Sequence, residues 1–438
     1  MKVVSGTESR EPATTPPSIS VCMHVLGTAR TDVRVMRAAT ALVEAGFAVT
    51  VVDIDWNHRE PVEEDICGAK IKHMLTPHWY TARRFKPWFL IQTVWLLIRS
   101  TVLLIRTPAD VYHAHDTKAL PACYLAARLR GKPLIFDSHE LPLSNEMDTA
   151  HWRGLIRLFS GLLAIMVPRC AAVITVSPPI AEAIHERYRG RDVTVIRNAP
   201  VYQAVPKSDR LRQYLGLRAD ACIALYQGGL EASRGLDRVI RAARFLERDI
   251  VIVLMGPDVE GIQPQLEALI NGEGVADRVK IVPPVPYVEL LGWTASADIG
   301  LLIYAPDQSL NIKMCLPNKL FEYLMAGLPV LASQLDAVVD IISTYDIGQI
   351  VSSLTPADIA AAIDALLVDP LAYARMRRNA LNAAQQELCW ERESRRLTHL
   401  YHEVLEMQNT ENRESSVKPL NEGHRVDRQS DGIGRRTS

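Results

Sequence analysis

Short apolar runs rich in Val, Ile and Ala alternate with longer amphipathic stretches along most of the chain. Runs of this length and composition are typical of buried parallel strands, and the stretches between them have helical spacing. The first series of predicted strands is 20–26, 48–53, 111–115, 133–137, 172–176 and 193–196. The second series is 222–227, 250–255, 279–282, 299–303, 329–332 and 348–351, with helices at 236–245, 264–270, 287–295 and 356–367. This alternation predicts an α/β fold with parallel sheets.

The polar segment 200–216 separates the two series. A chain of 438 residues is too long for one compact core and fits two domains. We therefore predict two Rossmann-like β/α/β domains, residues 19–200 and residues 201–389, that face a central cleft. An amphipathic helix is predicted at 390–407. Residues 1–18 and 408–438 are polar and lack apolar periodicity, so both segments are predicted to be disordered.

Composition narrows the classes of function. The chain is 48% hydrophobic and 23% charged, as expected of a soluble globular protein. The formal net charge of −1 provides no basic field, so nucleic acid is not an expected partner. The seven cysteines are scattered without a C-x-x-C pair, which favours buried thiols over disulfides or a zinc site. With no recognisable signal peptide, these features predict a cytoplasmic protein.

The segment 316–330 carries the strongest chemical signal. Pro317 suits the first turn of a helix, and Gly327 followed by Pro329 is a typical helix end. Lys319 in the first turn, beside the free N–H groups of the helix, suits a phosphate group. Glu322 lies one turn further on and suits a ribose diol. The alternative, an ordinary capped helix of the core, has about equal weight from the pattern alone.

Polar residues follow two predicted strands of the first domain. His113, His115 and Asp116 end one strand, and His139 and Glu140 follow another. The carboxyl ends of parallel strands are where open α/β sheets bind ligands, so His115 and His139 are candidate site residues. We expect His113 and His115 to project to opposite faces of the sheet and not to share a metal ion. A structural role for a single histidine remains open.

Two glycine-containing loops also follow predicted strands. Gly27 lies after the first strand, and Gly228 and Gly229 precede Arg234 in the second domain. Glycine allows close backbone approach, and an arginine can hold a diphosphate. Neither loop has the G-x-G-x-x-G pattern, which argues against an NAD enzyme. No P-loop, H-E-x-x-H or Ser-His-Asp pattern is present, and a sugar-binding or scaffolding protein remains open.

The segment 86–106 predicts a broadly apolar helix with one polar stripe. Polar residues interrupt it too often for a spanning helix. With Arg83, Arg84 and Lys86 beside Trp88 and Trp95, it favours a helix lying on an anionic membrane, so residues 83–106 are a predicted membrane contact. The segment 151–167 is a second candidate. Both segments have the alternative of packing in the core of the first domain.

Short motifs along the chain, taken in order, resemble the retaining glycosyltransferases of family 4, which have the GT-B fold. The likeness extends over about residues 20–406 and includes 32–35, 45–50, 110–116, 137–141, 174–177, 197–200, 226–229, 234–236, 255–256, 309–311 and 317–324. The resemblance implies an acceptor-binding first domain, a nucleotide-sugar-binding second domain and no required metal or other cofactor. It also implies that the helix 390–407 crosses back to the first domain.

The resemblance assigns roles residue by residue. Glu322 matches the glutamate that binds the ribose hydroxyls, and His139 matches the histidine near the reacting carbon of the donor sugar. Gly27 matches the first glycine loop, near the diphosphate. The first glutamate of the family's paired motif falls at Met314, so its role is expected to pass to Asp307, Ser309, Asn311 or the backbone.

The family's Arg/Lys pair for the diphosphate is also altered. Gly229 stands at the arginine position and Arg234 at the lysine position, so Lys319 is expected to restore the second positive charge. The predicted catalytic residues are His139, Lys319 and Glu322. The predicted donor-binding residues are Gly27, His115, Gly228, Gly229, Arg234, Asn318, Lys319 and Glu322.

The predicted function is transfer of a sugar from a UDP- or GDP-sugar to a lipid-linked saccharide or other surface glycan. This is the type of enzyme that makes bacterial surface polysaccharides, and we expect it on the inner face of the cell membrane. The alternatives are a nucleotide-sugar epimerase of the same fold and a catalytically inactive interaction protein in glycan assembly.

Overall fold

The computed structural model describes residues 19–56, 61–75, 86–143 and 153–417. Of the two segments predicted to be disordered, 1–18 and 408–438, residues 1–18 and 418–438 lie outside the described residues, whereas 408–417 are helical. The described chain forms two α/β units, each built on its own sheet, followed by a long C-terminal helix.

The first sheet has eight strands in the order β3-β4-β2-β1-β5-β6-β7-β8, and all neighbours are parallel except β3 and β4. Its strands are β1 Ser20–Val25, β2 Ala48–Asp55, β3 Glu63–Ile66, β4 Ala69–Leu75, β5 Val111–His115, β6 Leu134–Ser138, β7 Ala172–Thr175 and β8 Val193–Val195. The helices are α1 Val33–Glu44, α2 Lys86–Ile105, α3 Asp116–Arg130, α4 Arg153–Met166 and α5 Pro178–Arg187. All six strands predicted for this domain are confirmed.

The hairpin of β3 and β4 is absent from the prediction. Cys67 and Gly68 connect the two strands, and both have positive φ, as a tight two-residue hairpin turn requires. The outer strand carries Glu63, Glu64 and Asp65, so its low hydrophobicity conceals it in the sequence. A short, charged strand is a common way to protect the edge of a sheet from further pairing.

The second sheet has six parallel strands in the order β11-β10-β9-β12-β13-β14. They are β9 Cys222–Gln227, β10 Ile250–Met255, β11 Val279–Val282, β12 Ile299–Leu302, β13 Val330–Ala332 and β14 Gly348–Ile350. The helices are α6 Arg210–Leu215, α7 Leu236–Ala242, α8 Gln263–Gly272, α9 Tyr287–Thr294, α10 Leu310–Met314, α11 Asn318–Met325, α12 Asp336–Tyr345, α13 Pro356–Leu366 and α14 Pro370–Gln386. The predicted architecture of two Rossmann-like domains is confirmed.

The last helix, α15 Trp390–Val417, returns to the first domain. Leu397, Tyr401 and Val404 on one face of α15 are buried in the core formed by β1, β2 and α1. The predicted end at residue 407 is wrong, because the helix continues for ten more residues. Residues 408–417 contain no Pro or Gly, and a helix already nucleated by tertiary packing extends readily through such a sequence.

A buried carboxylate ties α15 to the segment between the two domains. Glu393 is fully buried and accepts hydrogen bonds from the backbone N–H and the guanidinium of Arg197, each at 3.0 Å. Arg396 donates to the same carboxylate at 2.9 Å. Beside it, the N–H of Trp390 donates to the carbonyl of Pro200 at 2.9 Å. This contact therefore holds the start of α15 against the end of the first domain.

Replacing Glu393 with Ala should leave Arg197 and Arg396 without their shared acceptor. We expect Glu393→Ala to lower the free energy of unfolding by about 3 kcal/mol, because it breaks a buried, charge-assisted network. Urea denaturation followed by circular dichroism measures the change. Glu406→Ala on the exposed side of the same helix is the control, and equal midpoints for the two variants would contradict the assignment.

Candidate active site in the interdomain cleft

A cavity of about 550 Å³ lies between the two domains at the carboxyl ends of their strands. The first domain contributes the loop after β1 with the start of α1, and the loop after β6. The second domain contributes the segment from α10 to α11. The lining residues are Gly27, Thr28, Thr31, Asp32, Val33, Arg34, His139, Glu140, Val176, Ile180, Asn198, Asn311, Cys315, Leu316 and Asn318.

Helix α10 closes one wall of the cavity by docking on the first domain. The side chain of Asn311 accepts a hydrogen bond from the N–H of Leu141 and donates to Glu140, both at 2.9 Å. Ser177 donates to the carbonyl of Met314 at 2.9 Å, and the Met314 side chain packs against the first-domain core. Met314, the departure from the family pattern, thus contributes an apolar contact between the domains.

The three residues expected to replace the missing glutamate have different surroundings. Asn311 lines the cavity but is occupied by its bonds to the first domain. Ser309 caps α10 by accepting from the N–H of Ile312 at 3.1 Å. Asp307 is exposed. Their proposed contact with a sugar stays a prediction.

A second contact crosses the cleft near the domain linker. Arg37 of α1 donates to the Tyr287 hydroxyl of α9 at 3.1 Å. The same guanidinium donates to the side chain of Asn198 and the carbonyl of Ala199, both at 3.1 Å. Arg37 therefore joins the first domain, the linker and the second domain, a role that its helical position in the sequence did not reveal.

Behind the cavity wall, Arg34 and Asp137 form a buried bidentate ion pair with N···O distances of 2.8 and 2.7 Å. Arg34 also donates to the carbonyl of Ile196 at 3.0 Å. Burial opposes ionisation of Asp137, but the Arg34 guanidinium holds the pKa of this carboxyl well below its usual range. Arg34 lies on the otherwise apolar inner face of α1. An arginine at such a position indicates a buried partner, and this was the available sequence signal for the ion pair.

Three histidines lie beside this pair. The His139 and His115 rings approach to 3.4 Å between Nε2 and Nδ1, and His115 Nδ1 is 3.5 Å from Asp137. Burial lowers the pKa of His139, so its ring is neutral at pH 7. His139 lines the cavity, whereas His115 is fully buried behind it. The structure therefore places the candidate site residues His115 and His139 side by side.

The expected orientation of His113 is wrong. Its ring stacks on that of His115 with centroids 4.1 Å apart, because residues two apart in a strand share a face. His113, His115 and Asp137 offer ligand atoms within 4.8 Å of one another. Both oxygens of Asp137, however, are bonded to Arg34, whose positive charge opposes a cation at this point.

At the edge of the second sheet, Glu322 is buried and accepts a hydrogen bond from Gln227, the last residue of β9. Thr294 donates to the oxygen of the same Gln227 amide at 2.7 Å and fixes its orientation. Burial raises the pKa of Glu322. Among the described residues only Gln227 donates to this carboxylate, so Oε1 remains available to a ligand hydroxyl.

Lys319 and Arg234 lie on the faces of two buried tyrosines. Lys319 Nζ is 3.8 Å from the centre of the Tyr226 ring and 5.3 Å from that of Tyr304. The Arg234 guanidinium is 5.0 Å from the Tyr304 ring centre. Cations are attracted to the electron-rich faces of aromatic rings. The sequence analysis assigned no role to either tyrosine, although Tyr226 belongs to the motif 226–229.

Gly228 makes room for the lysine. A Cβ on Gly228 would lie 2.8 Å from Lys319 Nζ, and the φ of 127° is one that other residues rarely adopt. The carbonyl of Gly229 accepts from the Tyr226 hydroxyl at 2.6 Å. The predicted glycine loop and the predicted helix α11 therefore meet directly.

The predicted site residues thus fall into two adjoining groups. Gly27, His139 and Asn318 line the cavity, with His115 behind them. A second group surrounds the end of β9 and consists of Gly228, Gly229, Arg234, Lys319 and Glu322. The groups join at α11, where Asn318 faces the cavity and Lys319 is the next residue. The sequence allowed two interpretations of this helix, a phosphate site or an ordinary helix of the core. They are compatible, because α11 is a core helix that also carries Lys319 and Glu322.

Comparison with known proteins defines the family. Residues 31–199 match the family model described as Glycosyltransferase Family 4, and residues 207–383 match the one described as Glycosyl transferases group 1. The chain belongs to glycosyltransferase family 4. The predicted family and the enzyme class, a glycosyltransferase, are confirmed.

Relatives of this family 4 glycosyltransferase are named for one reaction. The chain is 26% identical over 330 residues to D-inositol 3-phosphate glycosyltransferase 1 of Catenulispora acidiphila, covering 70% of this chain and 75% of the relative. It is 23% identical over 398 residues to the D-inositol 3-phosphate glycosyltransferase of Thermobifida fusca, covering 85% and 88%.

Solved structures confirm the GT-B fold. The sucrose-phosphate synthase of Thermosynechococcus elongatus superposes with a TM-score of 0.72 at 16% identity, over 89% of this chain and 100% of that one. Anabaena HepE in complex with UDP and glucose superposes with a TM-score of 0.66 at 15% identity, over 88% and 100%.

The buried histidines of this family 4 glycosyltransferase make its stability depend on pH. Burial lowers the pKa of His24, on β1, to about 4. Its neutral form stabilises the fold at neutral pH, and this contribution is lost as the pH falls below 6.5, where the unfolded chain takes up the proton. Between pH 7 and pH 5 the loss from His24 should be about 2 kcal/mol.

We expect His24→Leu to reduce the difference in unfolding free energy between pH 7 and pH 5 by that amount, measured by urea denaturation. The exposed His399→Gln is the matched control and should leave the difference unchanged. An undiminished pH dependence in His24→Leu would show that His24 does not contribute in this way.

Proposed function

We propose that this enzyme is a retaining glycosyltransferase that uses a nucleoside diphosphate sugar and acts on a lipid-linked saccharide or another surface glycan. The observation that carries the proposal is the placement of Lys319 and Glu322, one helical turn apart, against the glycine loop and beside the interdomain cavity.

The second domain provides complementary chemistry for the two halves of a nucleotide. Arg234, Lys319 and the N-terminus of α11 supply positive charge for a diphosphate. The free oxygen of Glu322 suits a ribose hydroxyl. Anabaena HepE was solved with UDP-glucose and an E. coli trehalose-6-phosphate protein with UDP-2-fluoro glucose, which supports a UDP-sugar as donor.

In the reaction, an acceptor hydroxyl forms a bond to the anomeric carbon while the bond from that carbon to the diphosphate oxygen breaks. Arg234 and Lys319 stabilise the negative charge that develops on the leaving diphosphate. Neutral His139, on the cavity wall, is proposed to contact the donor sugar near the reacting carbon. Closure by α10 excludes water and limits hydrolysis.

The state of the nearby carboxylates limits how retention would be achieved. Asp137 is bonded to Arg34, Glu140 to Asn311, and Asp32 caps α1 through the N–H groups of Arg34 and Val35. Within the described residues that line or back the cavity, no carboxylate is thus placed as a free nucleophile. We propose that the leaving diphosphate oxygen takes the proton of the acceptor hydroxyl on the same face of the sugar.

A lipid acceptor is supported by an unusual surface on the first domain. On α2, the polar residues Gln92 and Ser100 are buried, whereas apolar residues point outward. The exposed apolar residues of α2, α3 and α4 are Trp88, Leu90, Ile91, Val94, Ile98, Val102, Leu125, Leu129, Leu158, Leu162 and Ile165. We call this set the apolar face. Such an arrangement is the reverse of that of a helix facing water.

We propose that the apolar face rests on an anionic membrane, at the inner side of the cell membrane. Trp88 at its edge and the exposed Arg157 on α4 are residue types that favour such an interface. The predicted basic residues Arg83 and Arg84 lie outside the described residues, as do His151 and Trp152. No helix within the described residues is long and apolar enough to span a bilayer.

Lys319→Ala and Glu322→Gln test the donor site. Each should reduce turnover with a UDP- or GDP-sugar by at least about 100-fold, since each removes an interaction with charge or with a ribose hydroxyl. Product formation is measured by mass spectrometry with acceptor lipids extracted from membranes. Lys313→Ala, an exposed lysine on the neighbouring helix α10, is the control.

The same assay distinguishes the alternatives. A new nucleotide sugar formed without any acceptor would indicate an epimerase. An interaction protein would give no product and no thermal stabilisation by any UDP-, GDP- or ADP-sugar. Near-normal transfer by both variants would refute the site assignment.

Vesicle flotation tests the apolar face. The enzyme should float with vesicles of phosphatidylglycerol and phosphatidylcholine, and Ile91→Glu with Ile98→Glu should weaken binding by about 100-fold, because two buried apolar contacts are lost. Leu371→Glu, at an apolar residue that is even more exposed but lies on the second domain, is the control. Equal flotation of the double variant and the control would place the membrane contact elsewhere.

A further inference from the structure

Lys319 differs from an ordinary ligand-binding lysine in what surrounds it. Its side chain is 91% buried, being 9% exposed, yet no hydrogen bond or ion pair to its ammonium group occurs among the described residues. The ammonium group lies instead over the face of the Tyr226 ring, with Nζ 3.8 Å from the ring centre. A buried ammonium group without an acceptor is destabilised relative to the neutral amine.

Two acidic groups facing Lys319, Glu231 and Glu322, favour its charged form, but neither forms a hydrogen bond or ion pair with the ammonium group. The titratable groups around Lys319 come from the turn after β9, from β9 itself, from the segments just after β12 and just after α10, and from α11. They are Glu231, Arg234, Tyr226, Tyr304, Cys315 and Glu322. Glu231 is already paired with Arg234 at 2.9 Å. Burial raises the pKa of Cys315 to about 11 and that of both tyrosines, so these groups stay neutral.

Burial, together with the positive charge of Arg234, lowers the pKa of Lys319 to about 7. Before a donor binds, Arg234 and Lys319 together therefore carry less than two full positive charges at neutral pH. A diphosphate placed between Arg234 and Lys319 would bring the negative charge that the site lacks, and it would favour the protonated lysine.

We propose that Tyr226 and Tyr304 hold Lys319 and Arg234 in place for the diphosphate, and that Lys319 takes up a proton from solvent when the donor binds. This proposal rests on the proposed function, because it assumes a sugar diphosphate at this site. The two tyrosines are positioning residues, acting through the cations on their ring faces. The proton stays on Nζ while the diphosphate is bound and returns to solvent when it leaves.

Proton uptake is measured by isothermal titration calorimetry with UDP-glucose, GDP-mannose and ADP-glucose. Each titration is run at pH 7.5 in phosphate and in Tris, which differ in ionisation enthalpy. A lysine with a pKa of about 7 should take up about 0.8 of a proton on binding at this pH. Lys319→Arg, which is always charged, should take up close to none.

Affinity gives a second measurement. Above pH 7 the wild-type affinity should fall by about tenfold per pH unit, whereas that of Lys319→Arg should stay constant. Tyr304→Leu should bind about fivefold more weakly than Tyr304→Phe, which keeps the ring face. Both variants lack the hydroxyl and keep an apolar side chain, so the difference between them reports the aromatic ring.

The possible outcomes distinguish a failure of the proposed function from a failure of the proton-linked mechanism. If none of the three sugar nucleotides binds the wild-type enzyme, the proposed function itself is overturned. If one binds with the same proton exchange and pH profile in wild type and Lys319→Arg, only the proton-linked mechanism is overturned. Equal affinity of Tyr304→Leu and Tyr304→Phe would remove the role of the Tyr304 ring.

Discussion

The burial of helix α11 is the constraint on which the donor site depends. Residues Lys319 through Met325 are all buried, so the two charged side chains of this helix are held inside the protein. Tyr323 locks the helix in place, because its hydroxyl donates to the carbonyl of Leu225 and accepts from the N–H of Gln227. Its ring lies so close to Gly300 that a Cβ there would be only 2.4 Å away. Packing therefore fixes the backbone positions of Lys319 and Glu322 without a contribution from a ligand.

The first domain also contains a buried charged side chain, but this one has a partner of opposite charge within the protein. Asp137 is buried beside its partner Arg34, and burial lowers the pKa values of the nearby His113 and His139. Its electrostatics are complete without a ligand, whereas those of the Lys319 group are not. This difference agrees with the proposal that the second domain binds the diphosphate of the donor. The cross-cleft bonds of Arg37 and Asn311 bring the two surfaces together.

Much of the fold could be predicted from the sequence, because buried parallel strands leave unmistakable apolar runs. The hairpin β3–β4 could not, since its outer strand is charged and its pairing is decided by the edge of a sheet. The end of α15 was misplaced because a solvent-exposed helix extension has no apolar period. At the site, strand ends and the helix start brought His115, His139, Gly228 and Lys319 close to where they were expected. The sequence contained a signal for Arg34, its position on the apolar face of α1. The roles of Tyr226, Tyr304 and Arg37 depend on tertiary contacts, which spacing along one chain does not encode.

The central claim is that a sugar diphosphate lies between Arg234 and Lys319, with its ribose on Glu322. A crystal structure of the enzyme with the sugar nucleotide that binds most tightly tests this directly. The account predicts diphosphate oxygens within hydrogen-bond distance of both cations and ribose hydroxyls at the Glu322 carboxylate. A nucleotide bound elsewhere in the cleft, with Lys319 still resting on Tyr226 and without a phosphate contact, would contradict it.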